Sequence, residues 1–149
     1  MENNVIYTLD NINKIQKEVS VLSLSLLIGH NTRPRYMLNN EVRFTLSNGM
    51  TIIIPEGFVY DKSSVPRFLW GLLPNDGDME IGTIIHDFLY VYKPFGTHKR
   101  QRKFADDEMY LWSKRISGTA SKWSWRNLDN WVRWKAVRLF GWIVWNKNK

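Results

Sequence analysis

The 149 residues contain no cysteine. That excludes a disulfide framework, a thiolate metal site and a cysteine nucleophile. Long hydrophobic runs are missing as well. The most apolar stretch, Val19 to Ile28, is too short and too rich in serine to span a bilayer. The Met-Glu-Asn-Asn start lacks a basic segment ahead of an apolar run, so no signal peptide is read there. There is no internal repeat, no low-complexity tract, and no helix-turn-helix or zinc-finger spacing. The last absence argues against sequence-specific nucleic-acid reading. A cytosolic life, or assembly into a particle in the cytosol, fits these absences.

What is present is apolar and basic. Hydrophobic residues make up 44%, eight of the residues are Trp, and the formal charge is +7. Such a chain folds rather than staying disordered, and its length suits one domain over 1–149. Residues 1–18 read as a peripheral segment and 128–149 as a Trp-rich C-terminal helix. The positive charge favours contact with something anionic, whether nucleic acid, a phospholipid surface or an acidic partner, without choosing among them. Oligomeric state is not legible.

Periodicity divides the chain. Val19 to Leu26 alternates apolar residues with Ser, a strand pattern. Glu41 to Leu46 and Met50 to Ile54 are two more strands, joined by the turn Ser47-Asn48-Gly49. Pro55 to Arg67 leads out through a loop marked by Pro, Gly, Ser and Asp61. Pro66 can open a short helix, and Asp76 or Asp78 can cap the next one. A basic connection from Pro94 to Arg102 precedes a helix over Lys103 to Ile116, and a last helix runs from Leu128 to Trp145. The expected fold is α+β: one small antiparallel sheet packed against two or three helices.

The chain is organised around Ile81 to Asp106. Ile81, Ile84, Ile85, Phe88 and Leu89 recur at helical spacing and share one face. Thr83, His86, Asp87 and Tyr90 share the other. This puts an imidazole, a carboxylate and a phenol within reach of one another, with Gly82 leaving room beside His86. Asp106, placed near the start of the next helix, comes up against His86 if the two helices pack antiparallel. In the last helix, Val132, Ala136, Leu139, Phe140, Ile143 and Val144 form an arc suited to the core. Trp131, Trp134, Trp142 and Trp145, interleaved with Lys135 and Arg138, form an opposite arc suited to a lipid interface or a protein partner.

Each of these features has a plainer reading. His86, Asp87, Tyr90 and Asp106 can be a satisfied polar network that only fixes helix packing. Asp61 can cap the Ser63 or Ser64 amides instead of binding a metal. Arg102 can pair with Asp106, and Arg67 with Asp61 or Asp87. Ser63 and Ser64 lack the nucleophile-elbow pattern.

Three blocks resemble a known family. Gly57 to Arg67 is similar to its GFxTDxASVPR block, with Tyr60 and Ser63 where Thr and Ala are usual. His86-Asp87-Phe88-Leu89-Tyr90 is similar to its HDxLY block, and Arg102 to Asp106 to its RxxAD block. Ala136 to Trp142 looks like its C-terminal helix. The resemblance spans roughly residues 40 to 145 and implies an uncharacterised domain of unknown function from bacteriophages and prophages. It thus implies localisation in the host cytoplasm or the virion.

A second resemblance carries chemistry. His-Asp-x-x-Tyr on one helix, His86 to Tyr90, with an Asp on a following antiparallel helix, is similar to the core of phospholipase A2 enzymes. It implies His86 as the base that activates water, Asp106 holding its other ring nitrogen, and Tyr90 supporting Asp106. It also implies Asp87 as a ligand of Ca²⁺. The Gly- and Cys-containing calcium loop of those enzymes is not visible here, so Asp61 or the carbonyls of Pro74 to Gly77 would take its place. Two expectations result. One is a phage-encoded, phospholipase-A2-like His/Asp hydrolase acting at the host envelope. The other is a non-enzymatic virion or tail-associated protein whose Trp-rich helix docks on another phage protein. An open path to His86 favours the first, and a sealed His86 the second.

Overall fold

The structure, a computed structural model, describes residues 6–11, 21–23, 36–60, 80–116 and 125–147. Side chains are described for all of these except 21–23, 80 and 125–127. The chain divides into two compact units, Met1–Asp61 and Lys62–Lys149. All described strands fall in the first and all described helices in the second. This segregation is the α+β class expected from the pattern.

In the first unit, β1 (Ile6–Tyr7), β4 (Val42–Thr45) and β5 (Thr51–Ile54) form one three-stranded sheet in the order β1-β4-β5. The β4–β5 pair is the hairpin read from sequence, with Phe44 opposite Ile52 and Thr45 opposite Thr51. Its turn closes by Gly49 N–H donating to the Leu46 carbonyl at 2.9 Å, with Gly49 at φ +80°, a conformation that suits glycine. Val42, Phe44, Leu46, Ile52 and Ile54 are buried while Ile53 is exposed, which is the period of two the pattern predicts.

Two features of the strand unit differ from expectation. The first sheet is mixed, because β1 joins β4 in parallel, with Tyr7 opposite Phe44. There is also a second sheet, formed by β2 (Val21–Ser23), β3 (Tyr36–Leu38) and β6 (Val59–Tyr60) in the order β2-β3-β6, antiparallel throughout. Only three residues of the expected Val19–Leu26 strand are described, and all three are extended. In β3 and β6, Tyr36 faces Tyr60 and their rings stack at 5.5 Å.

The second unit contains α1 (Glu80–Tyr92), α2 (Lys99–Ile116) and α3 (Trp125–Lys147). Helix α1 packs on α2, and α2 on α3. Helix α1 is enclosed all round: every residue from Ile81 to Tyr90 is buried, the polar face included. Gly82 is not an opening. A Cβ there would lie 2.5 Å from the Met109 carbonyl oxygen and from Ser113 Oγ, so the glycine lets α1 and α2 approach closely. Helix α2 starts four residues earlier than the pattern suggests. The His98 carbonyl accepts from Gln101 N–H and Arg102 N–H, which makes Lys99 to Arg102 its first turn. Asp106 therefore sits in the body of α2, not near its start.

Helix α1 ends at Tyr92; Lys93, the next residue, has a left-handed φ of 46°, and Gly96 follows at φ +109°. The Lys93 ammonium donates to the Trp145 carbonyl at 2.9 Å and lies over the Trp145 ring. Trp145 Nε1–H donates to the Thr97 carbonyl at 3.1 Å. The connection from α1 to α2 is thereby fastened to the C-terminal part of α3, where a cation also suits the helix dipole.

Candidate functional site

His86 is fully buried, and both ring nitrogens are engaged. Nε2 lies 3.0 Å from Asp106 Oδ1, and Nδ1 lies 3.2 Å from Asp87 Oδ1. Tyr90, one helical turn on from His86, donates its hydroxyl to the same Asp106 oxygen at 2.5 Å. The Tyr90 ring sits 4.0 Å from the imidazole, centroid to centroid. The other Asp106 oxygen accepts from Arg138 Nη1 of α3 at 2.7 Å. One buried carboxylate thus ties together all three helices, through His86 and Tyr90 of α1, its own α2 and Arg138 of α3.

The electrostatics follow from this packing. Burial alone would lower the His86 pKa. The hydrogen bonds to Asp106 and Asp87, with the charges of both, more than offset it and raise the pKa from 6.5 to about 9. This favours the imidazolium form of His86 at neutral pH. Burial alone would raise the Asp106 pKa, but the His86 hydrogen bond and charge, then the Tyr90 and Arg138 hydrogen bonds, hold it below the ordinary 3.8. The Tyr90 phenol is pushed up by burial and then by the Asp106 charge, so it stays protonated and acts as a donor. A charged pair out of water needs its lone pairs and protons satisfied, and both ring nitrogens of His86 and both oxygens of Asp106 have partners.

The residues named from sequence divide into three groups. His86, Asp87, Tyr90 and Asp106 come together. Asp61, Ser63, Ser64 and Arg67 lie outside the described residues, as does the loop at 74–78. The third group occupies places other than those expected. Arg102 does not pair with Asp106. Its guanidinium donates to the Arg138 carbonyl at 3.4 Å. Arg138 and Trp145, read as parts of an outward face, turn inward. Arg138 grips Asp106, and Trp145 is buried with its ring edge-on to Tyr90 at 4.9 Å. Trp134 is half-buried and donates Nε1–H to Asp107 at 3.1 Å. Trp131 and Trp142 do face outward, at 47% and 54% exposure. The expected core arc of α3 is met only in part. Ala136 is buried, but Leu139 and Ile143 are exposed, and Val137 and Gly141, outside the expected arc, are buried.

Two further buried contacts in the helical unit have no sequence signal. Gly141 lies against Tyr90: a Cβ at 141 would be 2.5 Å from the phenolic oxygen. Glu108, fully buried on α2, accepts from Trp112 Nε1–H at 3.0 Å.

For a hard cation, the described donors do not suffice. Calcium takes about six to eight oxygen ligands. Asp87 supplies one carboxylate, with Oδ1 directed at His86, and among the described residues no group of three or more His, Asp or Glu is placed to hold a metal.

The arrangement can orient an imidazole and stabilise its charged form, the work of the carboxylate in a His/Asp pair. No curated protein and no solved structure matches the chain. A family model does match, over residues 36–137, and its description is a protein of unknown function, DUF1353. The matched span includes the β3–β6 region and the whole His86/Asp87/Tyr90/Asp106 cluster, and stops one residue short of Arg138. The chain belongs to the DUF1353 family of proteins of unknown function.

Proposed function

We propose that the helical unit is a hydrolytic centre of phospholipase-A2-like design, in which His86 activates water against an ester carbonyl. The observation that carries this reading is the sharing of Asp106 Oδ1 by His86 Nε2 and Tyr90 Oη, at 3.0 and 2.5 Å. A base that takes a proton through one ring nitrogen needs its other nitrogen held by an acceptor that fixes the tautomer and offsets the new charge. Asp106 is in that position, with Tyr90 and Arg138 fixing both its oxygens. In the step proposed, neutral His86 takes a proton from water through Nδ1 as the oxygen bonds to the carbonyl carbon. The C–O bond to the leaving alcohol breaks, and the alkoxide receives the proton from the imidazolium.

Nδ1 is turned to Asp87 in this structure, so the step requires the Asp87 contact to part and His86 to be neutral. With a pKa of about 9, only about one His86 in a hundred is neutral at pH 7. Activity on this reading therefore climbs through pH 8 and 9. The family resemblance of the motifs suggests a bacteriophage setting, with ester bonds of the bacterial envelope as the substrate class.

A second reading is favoured by one specific observation, the zero exposure of His86. On that reading the imidazolium, Asp106 and Arg138 form a clasp that only fixes three helices, in a phage protein that works by docking. The test is ester hydrolysis by wild type and His86→Asn at rising pH. Turnover that follows deprotonation of a group near pH 9 and disappears in the variant supports the hydrolase. A folded wild type without turnover leaves the clasp.

A further inference from the structure

Helix α3 is apolar on two opposite sides. Its inner side carries Ala136, Val137, Gly141 and Trp145, all buried. Its outer side carries Leu128, Trp131, Leu139, Trp142 and Ile143, exposed by 50, 47, 65, 54 and 41%. At 100° per residue these five fall in one stripe about 120° wide, and at 1.5 Å per residue the stripe runs about 22 Å. One charged side chain, Lys135, lies within it, over the rings of Trp131 and Trp134. An exposed apolar strip of this length, interrupted once by Lys135, marks an interaction site.

Charge identifies the partner. Among the described helical side chains, seven cations are exposed, including Lys99, Arg100, Lys135 and Lys147. No carboxylate is. Asp87, Asp106 and Glu108 are buried, and Asp107 and Asp129 are half-buried and paired with Lys103 and Arg133. The solvent-facing charge of these helices is therefore nearly all positive. A second copy of the chain would bring like charge to the contact. A nucleic acid would meet three aliphatic side chains in the stripe that cannot stack on bases. An interface of anionic phospholipid satisfies both features: acyl chains take the Leu and Ile side chains, Trp sits at headgroup level, and Lys135 within the stripe meets phosphate. No described helix is long and apolar enough to cross a membrane, so the mode of contact is α3 lying along the surface.

We propose that the Leu128–Trp131–Leu139–Trp142–Ile143 stripe of α3 seats the protein on an anionic phospholipid surface. The proposal does not depend on the hydrolase reading. The test is co-sedimentation of the full chain with vesicles of phosphatidylglycerol mixed with phosphatidylcholine, and with phosphatidylcholine alone. Wild type is expected to pellet with the anionic vesicles and much less with the neutral ones. Trp131→Ser with Trp142→Ser, both outward and without a described role in the fold, is expected to weaken binding roughly tenfold or more while the circular dichroism is unchanged. Lys135→Glu is expected to weaken it severalfold. Three results would each overturn the proposal: wild type left in the supernatant at low salt; the Trp double variant binding as wild type does; or a dimer in sedimentation velocity that the same double variant dissociates, which would put a second copy on the stripe.

Discussion

Tyr90 and Gly141 meet so closely that a methyl group at residue 141 would lie 2.5 Å from the phenolic oxygen. That oxygen is the one donating to Asp106. The absence of a side chain on α3 thus helps to set the position of a hydrogen bond between α1 and α2. Gly141→Ala should displace the Tyr90 hydroxyl and destabilise the protein by about 1–3 kcal/mol. In a Tyr90→Phe background the obstacle is gone, and the same substitution should cost clearly less. A double-mutant cycle by urea denaturation measures the difference, and equal costs in the two backgrounds would contradict the contact.

Gly82 should be less forgiving. Its missing Cβ faces the Met109 carbonyl, a backbone atom that cannot rotate away, as well as Ser113 Oγ. Gly82→Ala is expected to separate α1 from α2 and cost about 2 kcal/mol or more. Adding Ser113→Ala should restore little of it, because the carbonyl remains. Full rescue by Ser113→Ala in thermal unfolding would show that the hydroxyl was the whole obstacle.

The buried imidazolium gives stability a definite dependence on pH. His86 has a folded pKa of about 9 against 6.5 when free, so its proton is held more tightly in the folded state. The stability it contributes is fully present below about pH 6.5 and is lost as pH rises through about 9. By linkage this is on the order of a few kcal/mol. Asp106, with its pKa depressed below 3.8, contributes stability present above that value and lost as pH falls below it. Urea midpoints measured across this range should decline from pH 6.5 to 9, and His86→Asn should flatten that decline. An unchanged slope in the variant would assign the titration to another group.

Arg138 is expected to matter more than its partly exposed position suggests. Arg138→Gln removes one charge from a carboxylate that has no exposure of its own, and leaving such a group short of a partner costs about 3–5 kcal/mol. Losing a nearby cation should also raise the His86 pKa further. Imidazole titration by NMR checks the direction, and a fall in that pKa would contradict the network as described.

How much of this was legible in the sequence depends on how local each signal is. The meeting of His86, Tyr90 and Asp106 could be read, because four-residue spacing and a helical hairpin bring those positions together without further information. The β4–β5 hairpin could be read for the same reason, from Ser47-Asn48-Gly49 and the alternation around it. Arg138 faces the opposite side of α3 from the one its interleaving with Trp suggests. A helix apolar on both sides has no period that says which side packs, and its partner Asp106 is 32 residues away. The parallel pairing of two-residue β1 with β4 was invisible for a related reason: the segment is too short to carry a pattern, and its partner is distant. Gly82 misled because a missing side chain next to a polar cluster looks the same in sequence whether it admits a ligand or another helix.

The most direct measurement is the rate of phospholipid ester hydrolysis by wild type and His86→Asn, followed from about pH 6 to about pH 10 with and without added calcium. The hydrolase reading predicts wild-type turnover that rises with pH to a plateau above the His86 pKa and is lost in the folded variant. No turnover by folded wild type at any pH, or turnover that the variant retains, would contradict it and leave His86, Asp106 and Arg138 as a clasp between helices.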